Sequence, residues 1–361
     1  MPLPPSLLSA VRVRPELCTR PSPVPPAPRF RMSALDRSRE FAEKVNEYLH
    51  HLGKETAGVG VIQMNPDQSK HLETARMRVN GTWIDLVNLR SETYAEGSRI
   101  PSMEFGTPLQ DALRRDLTIN ALFYNLHTRA IEDFTGHGVD DLRNGIVRTP
   151  LAPAQTFLDD PLRVLRAVRF AARLGFDSDP ALLEAASTAE VRAALAHKVS
   201  RERVGIEVAK MLEGPRPGMA IGLLHDMGLL GTAFAMPDGC TAPASWTAAG
   251  AACGRAWAEV LGRLSRREAA AWVREMDSDA TRATMLAAVL LPLRYARVPA
   301  DKKPLGVPGK VVRGMKLRGR DADDADRLAT SLAGLASVAP GPVRVSQCLC
   351  SYGWLSSVEH I

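Results

Sequence analysis

The sequence predicts an α+β fold: a small mixed-sheet head followed by an all-helical neck and body. Three observations carry that expectation. Short segments of strand character, one pair of them joined by Asn80-Gly81, lie between about residue 58 and residue 134. From about residue 155 to 295 they give way to long alanine- and leucine-rich stretches with helical period. The length of 361 residues, 45% hydrophobic and 24% charged, suits about two packed domains.

In chain order, "MPLPPSLLSAVRVRPELCTRPSPVPPAPRFR" is rich in Pro and Arg, with Glu16 its only acid. It cannot bury a core, and residues 1–37 are expected to be disordered. An organelle transit peptide and an incidental leader fit equally, so mitochondrion, plastid and cytoplasm all stay open. "SREFAEKVNEYLHHLG" predicts an amphipathic helix ending at Gly53, and "GVGVIQ" a strand. "ARMRVNGTWIDLVNLR" predicts a hairpin turning at Asn80-Gly81. "INALFYN" and "AIEDF" predict two further strands, completing a head over residues 38–150. Residues 151–215 form a helical neck and 216–345 a helical body; beyond about residue 155 no strand is expected. "DKKPLGVPGK" reads as a loop or boundary, and the tail, 346–361, has no clear period.

Net charge is +6 and the pI about 9.2, which favours a polyanionic partner without requiring one. Cys18, Cys240, Cys253, Cys348 and Cys350 form no paired CxxC pattern, so free thiols in a reducing, intracellular compartment are expected. No apolar run approaches the ~18 residues of a membrane span, so no membrane partner is expected.

The chemistry concentrates in four stretches. In "FLDDPLRVLRAVRF", Asp160 precedes Pro161, a good helix cap, and Arg163 follows three residues on. Side by side at a helix start, the carboxylate can accept an exocyclic amine while the guanidinium bonds a ring nitrogen or carbonyl. Adenine and cytosine offer that combination. Capping alone also explains Asp160, and a solvated basic face explains Arg166, Arg169 and Arg173. In "DALRRDLTINALFYN", adjacent Arg114 and Arg115 suit a triphosphate and Asp116 can accept from a ribose hydroxyl. In "EDFTGHGVDDLRNG", Gly136 and Gly138 allow a mobile turn before Asp140 and Asp141. In "SRERVGIEVAKML", Glu202, Arg203 and Glu207 fall at helical spacing, where salt bridges within the helix are the plain alternative.

The order and spacing of these stretches resemble the class II tRNA nucleotidyltransferases, the CCA-adding enzymes, whose relatives are the bacterial-type poly(A) polymerases. "KHLETARMRVNGTWIDLVNLRSETY", "EFGTPLQDALRRDLTINALFYN" and "TFLDDPLRVLRAVRFAARLGF" resemble the eukaryotic CCA-adding branch. The match runs from about residue 38 to 215, and more loosely to about 340. The resemblance implies transfer of CMP and AMP from CTP and ATP to the 3′ end of tRNA, with Mg2+. It implies that Asp116 binds ribose, Arg114, Arg115 and Arg166 lie near the nucleotide, and Asp160 with Arg163 selects CTP and then ATP. It further implies that Gly136, Gly138, Asp140 and Asp141 form the flexible motif coupled to that switch. Glu202, Arg203 and Glu207 then steady the neck, and Asp85 stands at the third, strand-borne carboxylate.

The resemblance leaves one motif without residues. The family's glycine-rich turn and strand-borne Asp-x-Asp belong just before Ser38, where Asp36 stands alone. Asp177-Ser-Asp179 and Asp277-Ser-Asp279 read as helix caps, "DADDAD" at 321–326 as a solvated charge run, and His225-Asp226 as an isolated pair. Asp85 alone supplies neither the charge nor the ligand count of a two-metal site. The expectation is therefore a catalytically impaired chain, shortened at both ends. The alternatives are a non-catalytic RNA- or nucleotide-binding protein and a poly(A) polymerase.

Overall fold

The computed structural model describes residues 38–56, 58–62, 74–79, 81–93, 102–265, 276–294, 296 and 305–338. The leader with Asp36, the turn residue Asn80 and the tail lie outside these residues. The chain divides into two compact units between Asp111 and Ala112.

The first unit opens on α1 (Ser38–His51). Gly53 ends it as expected, at φ +66 with its N–H on the His50 carbonyl at 2.9 Å. β1 (Gly60–Ile62), β2 (Thr74–Val79) and β3 (Thr82–Val87) form an antiparallel sheet. The predicted hairpin is β2 and β3, with Val79 opposite Thr82 and Gly81 at φ +79. Strand alternation decides what is buried. Ala75 and Met77 of β2 close over Ala42 of α1, with Val45, Val59, Val79 and Leu86 packed against them. Arg76 and Asp85 face each other on the opposite side. β4 (Arg90–Thr93) and β5 (Ser102–Phe105) form a second antiparallel pair, which the sequence reading did not anticipate. Helix α2 (Pro108–Leu113) follows, and the unit boundary falls within it.

The second unit departs from expectation at its start. "INALFYN" is not one strand: a 3-10 turn, Thr118–Asn120, precedes β6 (Phe123–Asn125). The cause is local. The Asp116 carboxylate accepts from Leu117 N–H at 3.0 Å and from Asn120 Nδ2 at 3.1 Å, which curls the chain. β6 pairs with β7 (Ala130–Glu132), as predicted for "AIEDF". Helix α3 (Gly138–Asn144) and β8 (Ile146–Val147) come next.

Then the helices run: α4 (Pro153–Asp159), α5 (Leu162–Leu174), α6 (Pro180–Ala186), α7 (Ala189–Lys198), α8 (Arg201–Leu212), α9 (Pro217–Asp226), α10 (Leu230–Ala233), α11 (Trp246–Leu264), α12 (Ser278–Leu290), α13 (Val307–Gly314) and α14 (Gly319–Val338). One strand interrupts them against expectation: β9 (Asp177–Ser178) pairs in parallel with β8. The caps read from sequence are present, Asp179 accepting from Ala181 N–H and Asp277 from Ala280 N–H. Buried Leu162, Val164, Leu165, Ala167, Val168, Ala171 and Ala172 make α5 a central core helix.

Two further expectations are corrected. "DKKPLGVPGK" is partly helical. Asp326 accepts from Gly306 N–H at 3.0 Å and Gly309 N–H at 3.2 Å, and so caps α13 from a distance. "DADDAD" is not a solvated run either: Asp321 and Asp324 are buried and ion-paired with arginines. Gly205 of α8 meets the Met315 carbonyl so closely that a Cβ there would lie 2.2 Å from its oxygen.

Candidate nucleotide-binding site

The site grows out of the turn at Asp116 and the N-terminus of α5. Pro161, not Asp160, occupies the cap position of α5, and Asp160 reaches the helix from just outside it, Oδ1 taking the Leu162 N–H at 3.3 Å. The capping role read from sequence is therefore real, but long and weak. Oδ2 of Asp160 faces Arg203 of α8 at 3.8 Å, so acceptor capacity remains on this carboxylate.

Behind Asp160 the arginines follow at intervals of three. Each step turns the side chain back by about 60° around a helix of 3.6 residues per turn. The three therefore fan out rather than share one face, and each finds a different partner. Arg163 donates from Nη2 to the Arg114 carbonyl at 2.7 Å. Arg166 brings Nε and Nη2 each to 2.7 Å from Asp116 Oδ2. Arg169 donates from Nε to Glu207 Oε2 at 2.6 Å. A solvated basic face is thus excluded: Arg163 and Arg169 are buried, and only Arg173 faces solvent. Arg114 and Arg115 are half-buried; Arg115 donates to the Asn120 carbonyl at 3.3 Å and lies over the Phe123 ring at 5.4 Å.

The structure thus brings Arg114, Asp116, Asp160, Arg163, Arg166 and Arg203 into one linked set. Glu207 joins it through Arg169, whereas Glu202 is exposed on α8. Sequence reasoning missed Asp159, next to the cap. Burial pushes its carboxyl above the usual aspartate range, against the opposing pull of Arg163 and Lys198.

The glycine-containing turn is better tied than the sequence suggested. Asp133, also missed, accepts from Thr135 N–H, Thr135 Oγ1, Gly136 N–H and Val139 N–H, at 3.1, 2.7, 3.1 and 3.0 Å. Burial works against its charged form, but these hydrogen bonds outweigh burial and hold the carboxyl below the usual aspartate range. Gly136 has φ +72, whereas Gly138 is needed for close approach: a Cβ would lie 2.7 Å from the Thr118 carbonyl. Asp141 is buried and accepts from Thr118 Oγ1 at 2.7 Å and Arg148 Nε at 3.2 Å, while Asp140 stays exposed beside Arg143. Replacing Asp133 by alanine is expected to cost about 1–2 kcal/mol at pH 7, as for hydrogen bonds to a partly exposed charge. Because the folded pKa is lowered, this stabilisation is present above the unfolded value of about 3.9 and fades as pH falls through the folded one. Urea unfolding of parent and variant at neutral and strongly acidic pH measures it, and a difference that grows on acidification contradicts the assignment.

Asp85 is exposed on β3 and pairs with Arg76 Nε across the hairpin at 3.2 Å, where Arg76 also lies over the Trp83 ring at 5.1 Å. Among the described residues no group of three His, Cys, Asp or Glu could hold a metal ion. One solvated carboxylate neutralised by an arginine does not fit a magnesium site. His225 contacts its neighbour Asp226 at 3.1 Å, as an isolated pair. Among the described residues, no helix is long and apolar enough to cross a membrane.

Residues 31–148 match the Poly A polymerase head domain. The chain is 50% identical over 190 residues to the mitochondrial CCA tRNA nucleotidyltransferase of Saccharomyces cerevisiae, covering 52% of this chain and 35% of the relative. It is 46% identical over 191 residues to the tRNA nucleotidyltransferase cca2 of Schizosaccharomyces pombe, covering 52% of this chain and 40% of that one. The fold is similar to the crystal structure of the Bacillus stearothermophilus CCA-adding enzyme in complex with CTP, at 25% identity and a TM-score of 0.51. That likeness spans 78% of this chain and 58% of the enzyme. The chain thus spans well under half the length of these two fungal relatives. The head match, the identity to eukaryotic CCA enzymes and the shared fold agree with one another: over about half its length the chain is similar to class II tRNA nucleotidyltransferases, and it carries a Poly A polymerase-type head.

Proposed function

We propose that this chain binds CTP and ATP together with the 3′ end of a tRNA, and takes part in adding CMP and AMP to that end. The observation that carries the reading is the linked set at the start of α5. Asp160 keeps acceptor capacity beside Arg163, and Arg163 is anchored to the backbone of Arg114. Arg114 and Arg115 attract the triphosphate, whose charge their fixed guanidinium groups match. Asp160 accepts the exocyclic amine that cytosine and adenine share, and Arg163 donates to the adjoining ring acceptor. Uracil and guanine present the opposite pattern and are refused. In the family reaction the RNA 3′ hydroxyl oxygen bonds to the α-phosphorus and pyrophosphate leaves. The described residues do not fit a magnesium site, so no step is assigned to a metal. An intracellular location belongs to the same reading, supported by the similarity to a mitochondrial CCA tRNA nucleotidyltransferase. Domain roles follow the same reading: a head that receives the nucleotide, a neck that selects it, and a helical body that holds tRNA.

Binding without transfer is a second reading, favoured by the Arg76–Asp85 pair. Poly(A) addition is disfavoured by the identity to eukaryotic CCA enzymes.

The test is equilibrium binding of all four nucleoside triphosphates to the parent, Asp160→Asn and Arg163→Ala. The parent is expected to prefer CTP and ATP by about 10-fold or more, since each base contact contributes about 1–3 kcal/mol. Both variants should lose the preference, Asp160→Asn without losing its cap. Affinity for tRNA lacking its CCA end should fall steeply with salt. Equal affinity for all four nucleotides in the parent refutes the reading. Incorporation of labelled CMP separates transfer from binding alone.

A further inference from the structure

Arg148, just after β8, holds three separate parts of the second unit at once. Its carbonyl accepts the Thr118 N–H at 2.9 Å, Nε donates to Asp141 at 3.2 Å, and Nη1 pairs with Asp179 at 3.2 Å. We propose that Arg148 is a positioning residue that couples the Gly136–Gly138 turn to the far end of the base-reading helix α5. This rests on the nucleotide reading above and extends it to a residue that the sequence reading passed over.

The turn side of the clamp is tight. The Asp141 side chain is 5% exposed and also accepts from Thr118 Oγ1 at 2.7 Å, while a Cβ at Gly138 would lie 2.7 Å from the Thr118 carbonyl. The start of α3 therefore cannot shift without disturbing Thr118 or Arg148. The α5 side is built from backbone. α5 ends at Gly175, φ +72, and the chain turns directly into β9. There Asp177 N–H bonds the Gly145 carbonyl at 2.8 Å and Asp179 N–H bonds the Val147 carbonyl at 3.0 Å. A pair of two-residue strands resists little by itself. Arg148 reinforces it, because its planar guanidinium lies between a carboxylate of α3 and the carboxylate that caps α6. Both contacts are charge-assisted, and both carboxylates are largely shielded from water. Motion of the turn is thus passed to the segment that fixes the C-terminal end of α5. The 13 residues of that helix carry it to Asp160 and Arg163 at the other end.

The experiment is native-state hydrogen exchange of single amides in parent, Asp179→Asn, Arg148→Met and Arg148→Lys, without nucleotide and with CTP. Asparagine caps as well as aspartate, so α6 is retained, but its amide sets a donor where Oδ2 faced Arg148. Without nucleotide, Asp179→Asn is expected to speed exchange at Gly136, Val139 and Asp141 about 10-fold and to leave Leu183 of α6 and Leu224 of α9 unchanged. Arg148→Met keeps the carbonyl bond to Thr118 but frees both carboxylates, and should do the same. Arg148→Lys, which keeps the charge, should restore part of the protection. CTP should slow the turn amides of the parent about 10-fold, and this response should vanish in Arg148→Met while CTP still binds. Unchanged turn exchange in Asp179→Asn overturns the coupling, as does a CTP response that survives in Arg148→Met or is absent from a parent that binds CTP. Equal acceleration at Leu183 and Leu224 makes the clamp merely structural and also overturns it. If Arg148→Met does not fold, Asp179→Asn decides. A parent that binds no CTP removes the nucleotide reading, and the nucleotide-free comparison then decides the clamp by itself.

Discussion

Glu207→Ala should lower the stability of the helical unit by about 3–5 kcal/mol, the cost of leaving one member of a buried ion pair alone. The side chains of Arg169 and Glu207 are 10% and 6% exposed, and they meet at 2.6 Å. Alanine itself suits a helix, so propensity does not explain the loss. The Arg169 guanidinium keeps a face against the Phe170 ring at 4.3 Å, which cannot replace a carboxylate. Glu207→Gln retains the shape and one acceptor and should lose less. Denaturant unfolding of both variants reads the effect. A Glu207→Ala loss below about 1 kcal/mol would mean that water screens the pair as at a surface, contrary to its burial.

Arg282→Met should cost about 3 kcal/mol at neutral pH, and the cost should shrink on acidification. Arg282 is buried and reaches three carboxylates: Glu213, Asp279 at 3.0 Å and Asp321 at 2.8 Å. Arg318 also pairs with Asp279 and Asp321, from a more exposed position. Burial first, then Asp279 and Asp321, hold the Glu213 carboxyl above the usual glutamate range, while Arg318 and Lys210 pull the other way. A raised folded pKa gives stability that is full below the unfolded value of about 4.3 and lost as pH rises through the folded one. Methionine keeps the apolar stem but leaves three carboxylates to repel one another. The variant's deficit should therefore be widest near pH 7.5 and narrow toward pH 4.5. Partial exposure of Glu213 and Asp279 keeps the figure at the low end of the buried-pair range. Unfolding across that pH interval measures it; a deficit independent of pH would assign the loss to packing.

These two clusters also show what was legible in the sequence. Local signals survived: the β2–β3 hairpin follows from strand alternation with a glycine at the turn, and Gly53, Asp179 and Asp277 delimit helices as their chemistry requires. The residues of the site were legible because they crowd into short motifs. Their partners were not. Arg282 meets Asp321 across 39 residues and Arg169 meets Glu207 across 38, separations at which periodicity carries no information. The same blindness turned "DADDAD" into a solvated run and hid the capping of α13 by Asp326. The "INALFYN" strand failed for a nearer reason. Alternation was present, but a single carboxylate at Asp116 captured an N–H and an amide that a strand would have used elsewhere.

The fan of Arg163, Arg166 and Arg169 has a consequence for inheritance. Three arginines within two turns of one helix are committed to two distant parts of the chain, the Arg114–Asp116 turn and α8, so a change at any of them cannot be neutral while its partner stays. Arg163, which holds a main-chain carbonyl, has no side chain that could compensate through that bond. Arg166 and Arg169 have Asp116 and Glu207. Across related chains position 163 should therefore be fixed by itself, whereas 116 with 166 and 169 with 207 should drift only as couples. In a chain released from selection for nucleotide choice, the first pair would be free to decay while the second, still needed for folding, would persist.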